Sequence, residues 1–446
     1  MPDTPDASTP GGPAARAARG AGRPRLYYGW VLVVALGITE TVSWGILYYA
    51  FAVFVLPMEA ELGWSRTAIS GAFALAVLLS GLAAVPVGRW LDRNGARALM
   101  TAGSAAGTGL VLAWSTVRDL PVFYLIWAAI GLTMATVLYE PAFAVVTVWF
   151  RRRRASALTA VTLVAGLAST IFLPLAGWLL ERQGWRQALV TLAAVLGTAT
   201  IVPHALLLRR RPADLGLAPD GDPLPSPESA GRPAPAARRG ATTGAVLRLA
   251  GFGWLALAFS LYSLVANGVA VHLVPSLAAR GWDLRAAAAL AGAVGAMQLV
   301  GRLAFAPLEG LAARSRHTPR RRGAGAGGLV GPILLLQPLA LAVYLLFPGP
   351  AGVVVFVVLY GAGRGAATLA RATSVAGRYG TADYASISGV LALCVTAAQA
   401  AGPLVTGAGY DRFGAYEPVF WALAAVSTLA ALAAVRSERA PAAPAP

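Results

Sequence analysis

Gly88-Arg89-Trp90-Leu91-Asp92-Arg93-Asn94-Gly95-Ala96-Arg97 lies between two long apolar stretches and carries one Asp and three Arg. Charges placed where one apolar run stops and the next begins mark the end of a membrane crossing, and Arg clusters mark its cytoplasmic side. Asn94-Gly95 supplies a turn that reverses the chain at once.

The composition carries the same message. Of 446 residues, 57% are hydrophobic and 12% charged, against roughly 45–50% and 25% in soluble domains. The net charge of +17 comes from Arg clustered in short gaps between apolar runs, not from a basic surface interleaved with aromatics, which speaks against nucleic acid. All 36 basic residues are Arg. A P-loop needs its Lys for phosphate and a retinal Schiff base needs a Lys amine, so both are excluded. The single Cys394 rules out an internal disulfide. No nucleophile–base constellation, metal-ligand spacing or cofactor motif appears, so no enzyme, metal or cofactor is expected.

Apolar runs long enough to cross about 30 Å of hydrocarbon number twelve: 29–56, 67–87, 98–115, 120–150, 155–180, 188–208, 247–277, 286–308, 329–347, 352–375, 385–409 and 418–435. With both termini inside, the inner gaps receive Arg89, Arg93, Arg97, Arg151 to Arg154, Arg209 to Arg211, Arg320 to Arg322 and Arg378. The outer gaps hold Arg66, Arg118, Arg182, Arg186, Arg280, Arg285 and Arg412, offset by acids such as Glu59, Glu181 and Asp411. That asymmetry places both termini in the cytoplasm. Residues 1–26 and 437–446 are expected as cytoplasmic tails, the first disordered. Residues 209–246 form a polar, Pro-rich linker that divides the runs into halves 27–208 and 247–436.

The halves match each other. Pro57-x5-Gly63-Trp64 reappears as Pro275-x5-Gly281-Trp282, and Gly177-x-x-x-Glu181-Arg182-x-Gly184 as Gly407-x-x-x-Asp411-Arg412-x-Gly414. Two correspondences in the same order argue for duplication. The loop pattern G-x-x-x-D-R-x-G-x-R resembles the signature between the second and third spans of the major facilitator superfamily. That resemblance implies an all-α membrane protein of twelve helices in two six-helix halves around a central site. It also implies that spans 1, 4, 7 and 10 line the cavity.

Ionisable residues at bilayer depth are costly and mark candidate sites. Glu40 lies mid-span 1, with Trp44 and Tyr48 along the same face. Glu140 lies in span 4, in a stripe with Thr133 and Thr136. Span 10 carries Tyr360, Arg364, Thr368 and Arg371 at helical spacing; span 8 offers Gln298 and Arg302, and span 7 Asn267. Acids in one half and guanidinium groups in the other suggest proton coupling through Glu140 or Glu40. Anion binding falls to Arg371, with Arg364 or Arg302, and Tyr48, Asn267 and Gln298 are polar lining. Glu140 and Arg371 could instead be a structural ion pair, and Arg302 could snorkel to the interface. His272, toward the outer end of span 7, reads as a solvated histidine. Gly88, Asp92, Arg93, Gly95 and Arg97 read as a conformational latch.

Leu62-Gly63-Trp64-Ser65-Arg66, Gly184-Trp185-Arg186, and Gly402-Pro403-Leu404 leading to Tyr410-Asp411-Arg412 are similar to the monocarboxylate and oxalate–formate porter branch. The resemblance runs from Tyr27 to Val435. It implies a secondary transporter of small organic anions, with Arg302 at the position that holds the carboxylate; a monomer in the plasma membrane is expected. The Lys residues which that branch places in span 1 or span 11 are missing here. Proton-driven export of drugs or metabolites is the alternative, although only Pro174-x-x-Gly177 of its span 5 motif survives. A transporter-like sensor that moves nothing is a second alternative.

Overall fold

The computed structural model describes residues 27–222, 246–314, 329–379 and 384–440. The N-terminal tail, residues 223–245 of the linker, the stretch holding His317 and Arg320 to Arg322, and residues 441–446 lie outside them. Among the described residues the regular structure is helical throughout. In the first half come α1 Tyr28–Leu62, α2 Arg66–Asn94, α3 Ala96–Ser115 and α4 Leu120–Trp149. Next are α5 over 154–183 and α6 over 185–207, parted at Gly184 (φ 74°). The second half holds α7 Ala250–Ala278, α8 Leu284–Arg314 and α9 Val330–Leu346. It ends with α10 Pro350–Tyr379, α11 Tyr384–Phe413 and α12 Tyr416–Arg439. By length and apolar character nine stretches among the described residues can cross a membrane, with Ser156–Leu207 counted as one.

The expected loop at Gly88–Arg97 is tighter than its sequence suggests. α2 runs helically to Asn94, only Gly95 (φ 78°) leaves the helix, and α3 begins at Ala96. We call the end bearing this turn and the Arg clusters the basic end, and the opposite one the far end. At the far end Gly63, Gly184, Gly281 and Gly414 have φ of 67°, 74°, 88° and 68°, a region that a side chain resists. These are the glycines of the two repeated motifs, so the duplication reappears as backbone conformation.

Packing follows the same repeat. In the first half α1 packs on α5, α2 on α4, and α3 on α4 and α6. In the second, α7 packs on α11, α8 on α10, and α9 on α10 and α12. The halves meet at two equivalent seams, α2 against α11 and α5 against α8. Large apolar side chains such as Ile38, Leu82, Leu125, Leu303 and Leu429 stay exposed, which suits hydrocarbon rather than water.

Two helices depart from regularity where they face the centre. α4 breaks at Leu138 (φ −92°, ψ −160°). Pro141 explains the break: its ring would clash with the carbonyl four residues back, but it is tolerated in the first turn of a new helix. α1 contains a π-turn at Gly45–Tyr49, which adds a residue to one turn and shifts the register beyond it.

The start of the linker folds onto the first half. The carboxylate of Asp220 accepts from the backbone N–H groups of Arg151 (3.0 Å), Arg152 (2.8 Å) and Arg153 (3.2 Å). Those donors open α5, where an anion is favoured. Burial opposes the charged form, yet the three N–H groups and the Arg152 guanidinium hold Asp220 below the usual carboxylate range.

Candidate functional site

A cavity of about 790 Å³ lies between the halves, lined by α1, α2, α4, α7, α8, α10 and α11. Tyr48, Asn267, Gln298, Arg302, Arg364 and Arg371 all line it, as does Glu140. The apolar helices bring these polar groups together because nothing else in the bilayer would solvate them.

Arg364 is the centre of the arrangement. It is half-buried, it donates to the Ala266 carbonyl at 3.1 Å, and the hydroxyls of Tyr48, Tyr49, Tyr262 and Tyr360 lie within its electrostatic reach. Among the described residues no carboxylate pairs with it. Its backbone is held by close packing: a Cβ on the neighbouring Gly365 would come within 1.9 Å of the Gln298 carbonyl oxygen, so α8 and α10 approach only because that position is glycine. Arg371 lies two turns further toward the basic end of α10. Arg302 reaches across the seam to α5, donating to the Thr162 carbonyl at 3.1 Å, while its Nε is buried without a partner. Tyr48 donates to Asn267, which donates in turn to the Gln399 carbonyl at 2.9 Å. That chain ties α1 to α7 and α11.

The two acids differ sharply. Glu140 is exposed and opens the second segment of α4. Glu40 is 0% exposed, and neither of its oxygens has a hydrogen-bond partner. The Trp44 indole N–H one turn away is also unpartnered, and Glu140 lies within electrostatic reach. The expected stripe of Glu140 with Thr133 and Thr136 does not form. Thr136 and Thr133 pack instead against Gly103 and Gly107 of α3, because the break at Leu138 uncouples Glu140 from that helical face. Sequence reasoning also missed Tyr49, Tyr139 and Tyr262. Tyr49 joins the lining because the π-turn rotates it there.

The far end is sealed. Arg66 is 7% exposed; it donates to Glu59 at 2.8 Å and to the Tyr416 hydroxyl at 2.8 Å, with its guanidinium 3.7 Å from the Tyr410 ring centre. Thr67 donates its N–H and hydroxyl to Asp411 across the α2–α11 seam. His272 is fully buried, correcting the expected solvated histidine. Its Nε2 faces the Pro403 carbonyl (3.0 Å) and Ser70 (3.1 Å), and its Nδ1 faces the Tyr416 hydroxyl (2.9 Å). A carbonyl only accepts, which assigns the hydrogen to Nε2 and leaves Nδ1 to accept from Tyr416. At the other seam Arg285 faces Glu181 at 3.8 Å with both side chains more than half exposed. Glu181 and Asp411 hold the same place in the repeat, as do Thr67 and Arg285. One seam is tight and its twin is loose.

The lining residues of α2 and α11 lie on the basic side of this seal, and Glu140, Thr368 and Leu393 are exposed. The cavity therefore opens toward the basic end. There Arg97 donates to the Ala205 carbonyl at 2.7 Å, Arg210 donates to the Arg93 carbonyl, and Asp92 is exposed.

Two halves around one central cavity, sealed at one end, match a known architecture. The family model of the Major Facilitator Superfamily matches residues 34–347. The chain belongs to the Major Facilitator Superfamily. Within this superfamily it is similar to Monocarboxylate transporter 13 of Bos taurus, 29% identical over 350 residues, covering 76% of this chain and 73% of that protein. Monocarboxylate transporter 11 of Mus musculus is 34% identical over 212 residues, 47% of this chain and 45% of that protein. Among solved structures, a bacterial homologue of the human lysosomal transporter Spinster, in an inward-facing and occupied conformation, superposes with a TM-score of 0.69 at 16% identity, covering 94% and 98% of the two chains. The nucleoside transporter NupG gives 0.69 at 13% identity, covering 91% and 99%. At such identities the likeness shows the superfamily fold alone.

Proposed function

We propose that this chain is a proton-coupled secondary transporter of an organic anion, working by alternating access in the plasma membrane. The observation that carries the reading is Arg364, a guanidinium in the central cavity with no carboxylate partner among the described residues. With Arg302 it outnumbers Glu140, the one acid among the described lining residues, a balance that favours anions and disfavours cations. The monocarboxylate transporters to which the chain is similar support the same class. Burial without a partner favours Glu40 over Glu140 as the proton site. Counterflow in proteoliposomes, across short carboxylates and cationic drugs, tests the reading. Exchange of carboxylates is expected, and exchange of cationic drugs alone would replace it with the exporter.

Arg364→Lys keeps the charge and loses the bidentate fork. Substrate affinity should fall by about 1.5–3 kcal/mol, roughly 10- to 150-fold. An affinity within twofold of wild type would remove Arg364 from the binding site.

The Arg distribution assigns the basic end to the cytoplasm, which makes the conformation described above inward-open. In a background with Cys394 replaced, a cysteine at the exposed Ala213 should resist an impermeant thiol reagent in intact cells, while one at Asp283 should label. The reverse pattern would invert the topology. Asp92, exposed in this state, is proposed to latch the basic end in the other one. Asp92→Asn should slow transport through the balance of the two states while equilibrium binding stays near wild type. Collapse of binding would refute the latch.

A further inference from the structure

We propose that the cavity takes a carboxylate bearing an aryl ring, in preference to a short aliphatic one. This deepens the organic-anion reading and rests on it. A volume of about 790 Å³ is that of a site for a drug-sized molecule, and a carboxylate of a few heavy atoms would fill only a small part of it. One wall of the cavity is aromatic. Trp44 packs against Tyr48 and against Tyr139 with ring centroids 5.1 Å apart in each case, and Tyr48 stands edge-on to Tyr49 at 5.1 Å. The rings come from three chain segments, the turns of α1 on either side of Gly45 and the start of the second segment of α4.

Both local irregularities serve that wall. The π-turn brings Tyr48 and Tyr49 to the lining together, and the break before Tyr139 places its ring against Trp44. The second half adds Tyr262 and Phe259. Much of the polar capacity nearby is already committed to the protein, since Tyr48 donates to Asn267 and Tyr360 donates to the Ala266 carbonyl. What Tyr48 offers a ligand is ring surface. Such surface rewards a ligand ring by edge-to-face or offset packing beyond the area it buries. Arg364 donates to Ala266 through one of its five N–H groups, and the guanidinium lines the cavity with further donors for a carboxylate. A guanidinium with a cluster of rings within its reach suits an aryl-substituted carboxylate.

The test uses the full chain in proteoliposomes with acetate, phenylacetate and cyclohexylacetate. Phenylacetate should half-saturate exchange at about one-tenth the concentration of acetate, and cyclohexylacetate should lie at least about threefold above phenylacetate. Tyr49→Leu should bring the phenylacetate-to-acetate ratio toward one, and Tyr49→Phe should preserve it. Equal half-saturation by acetate and phenylacetate in the wild-type protein would overturn the inference and leave the organic-anion reading standing. Equal half-saturation by cyclohexylacetate and phenylacetate would also overturn it, reducing the wall to a merely apolar one. Exchange of none of the three, with exchange of an arylalkylamine, would defeat the underlying reading itself. The wild-type ratios decide these outcomes even if a variant fails to insert.

Discussion

Glu40→Gln should abolish accumulation driven by a pH gradient while leaving substrate exchange at equal pH largely intact. Glu40 is fully buried, and both of its oxygens lack partners. An ionised carboxylate in such surroundings is penalised by several kcal/mol, and a proton removes the penalty. Proton loss therefore has to be tied to a change in what surrounds the group, which is what coupling to the transport cycle requires. Gln copies the volume and hydrogen bonding of the protonated acid but cannot release a proton. The variant should be locked in the loaded form, able to shuttle substrate and blind to the gradient. Glu140, exposed to the cavity, provides the control: Glu140→Gln should weaken gradient-driven uptake far less. Measuring both variants with and without an imposed gradient separates the two acids. Unimpaired accumulation in Glu40→Gln would remove that residue from the proton path.

The second large effect belongs to Arg66. It joins Glu59, Tyr410 and Tyr416, so it holds α2 against α11 and α12 at the far end. Glu59 belongs to the same half as Arg66, so that pair survives opening of the far end, whereas the Tyr416 hydrogen bond and the Tyr410 ring contact do not. A charge-assisted hydrogen bond and a largely desolvated cation–π contact together contribute about 2–3 kcal/mol. That stabilisation is present only with the far end closed, because both contacts cross from α2 to the other half. Arg66→Gln should therefore shift the population toward the far-end-open state by roughly 30- to 150-fold. Spin labels at Asp119 and Glu417, on opposite halves, would read the shift as a longer distance population. An unchanged distribution would mean that the seal does not depend on Arg66.

Much of the fold was legible because membranes demand it. Apolar runs, Arg-rich gaps and motif glycines each carry a local signal, and the glycines at Gly63, Gly184, Gly281 and Gly414 adopted the backbone that only such residues accept readily. The charged members of the site were legible for the same reason, since Arg364 or Glu40 stands out in an apolar run. The aromatic wall was not. Placing Tyr49 and Tyr139 required knowing where α1 and α4 lose their regular period, and periodicity rules assume that they keep it. Pro141 was the available clue for α4. The environment of His272 was beyond local reading, because its partners Ser70 and Tyr416 lie 202 and 144 residues away in the chain. The matching motifs around Arg66 and Asp411 were visible, but nothing local states that they meet.

A cavity whose cations are all guanidinium has a reactivity of its own. The chain contains no lysine, so acylating agents and isothiocyanates that inactivate proteins through side-chain amines find no such target in it. Vicinal dicarbonyl reagents, which condense with guanidinium, address Arg302, Arg364 and Arg371 from the open end. A bound carboxylate would shield Arg364 from them, so protection against covalent modification becomes a way of ranking ligands before any of them is seen to cross the membrane.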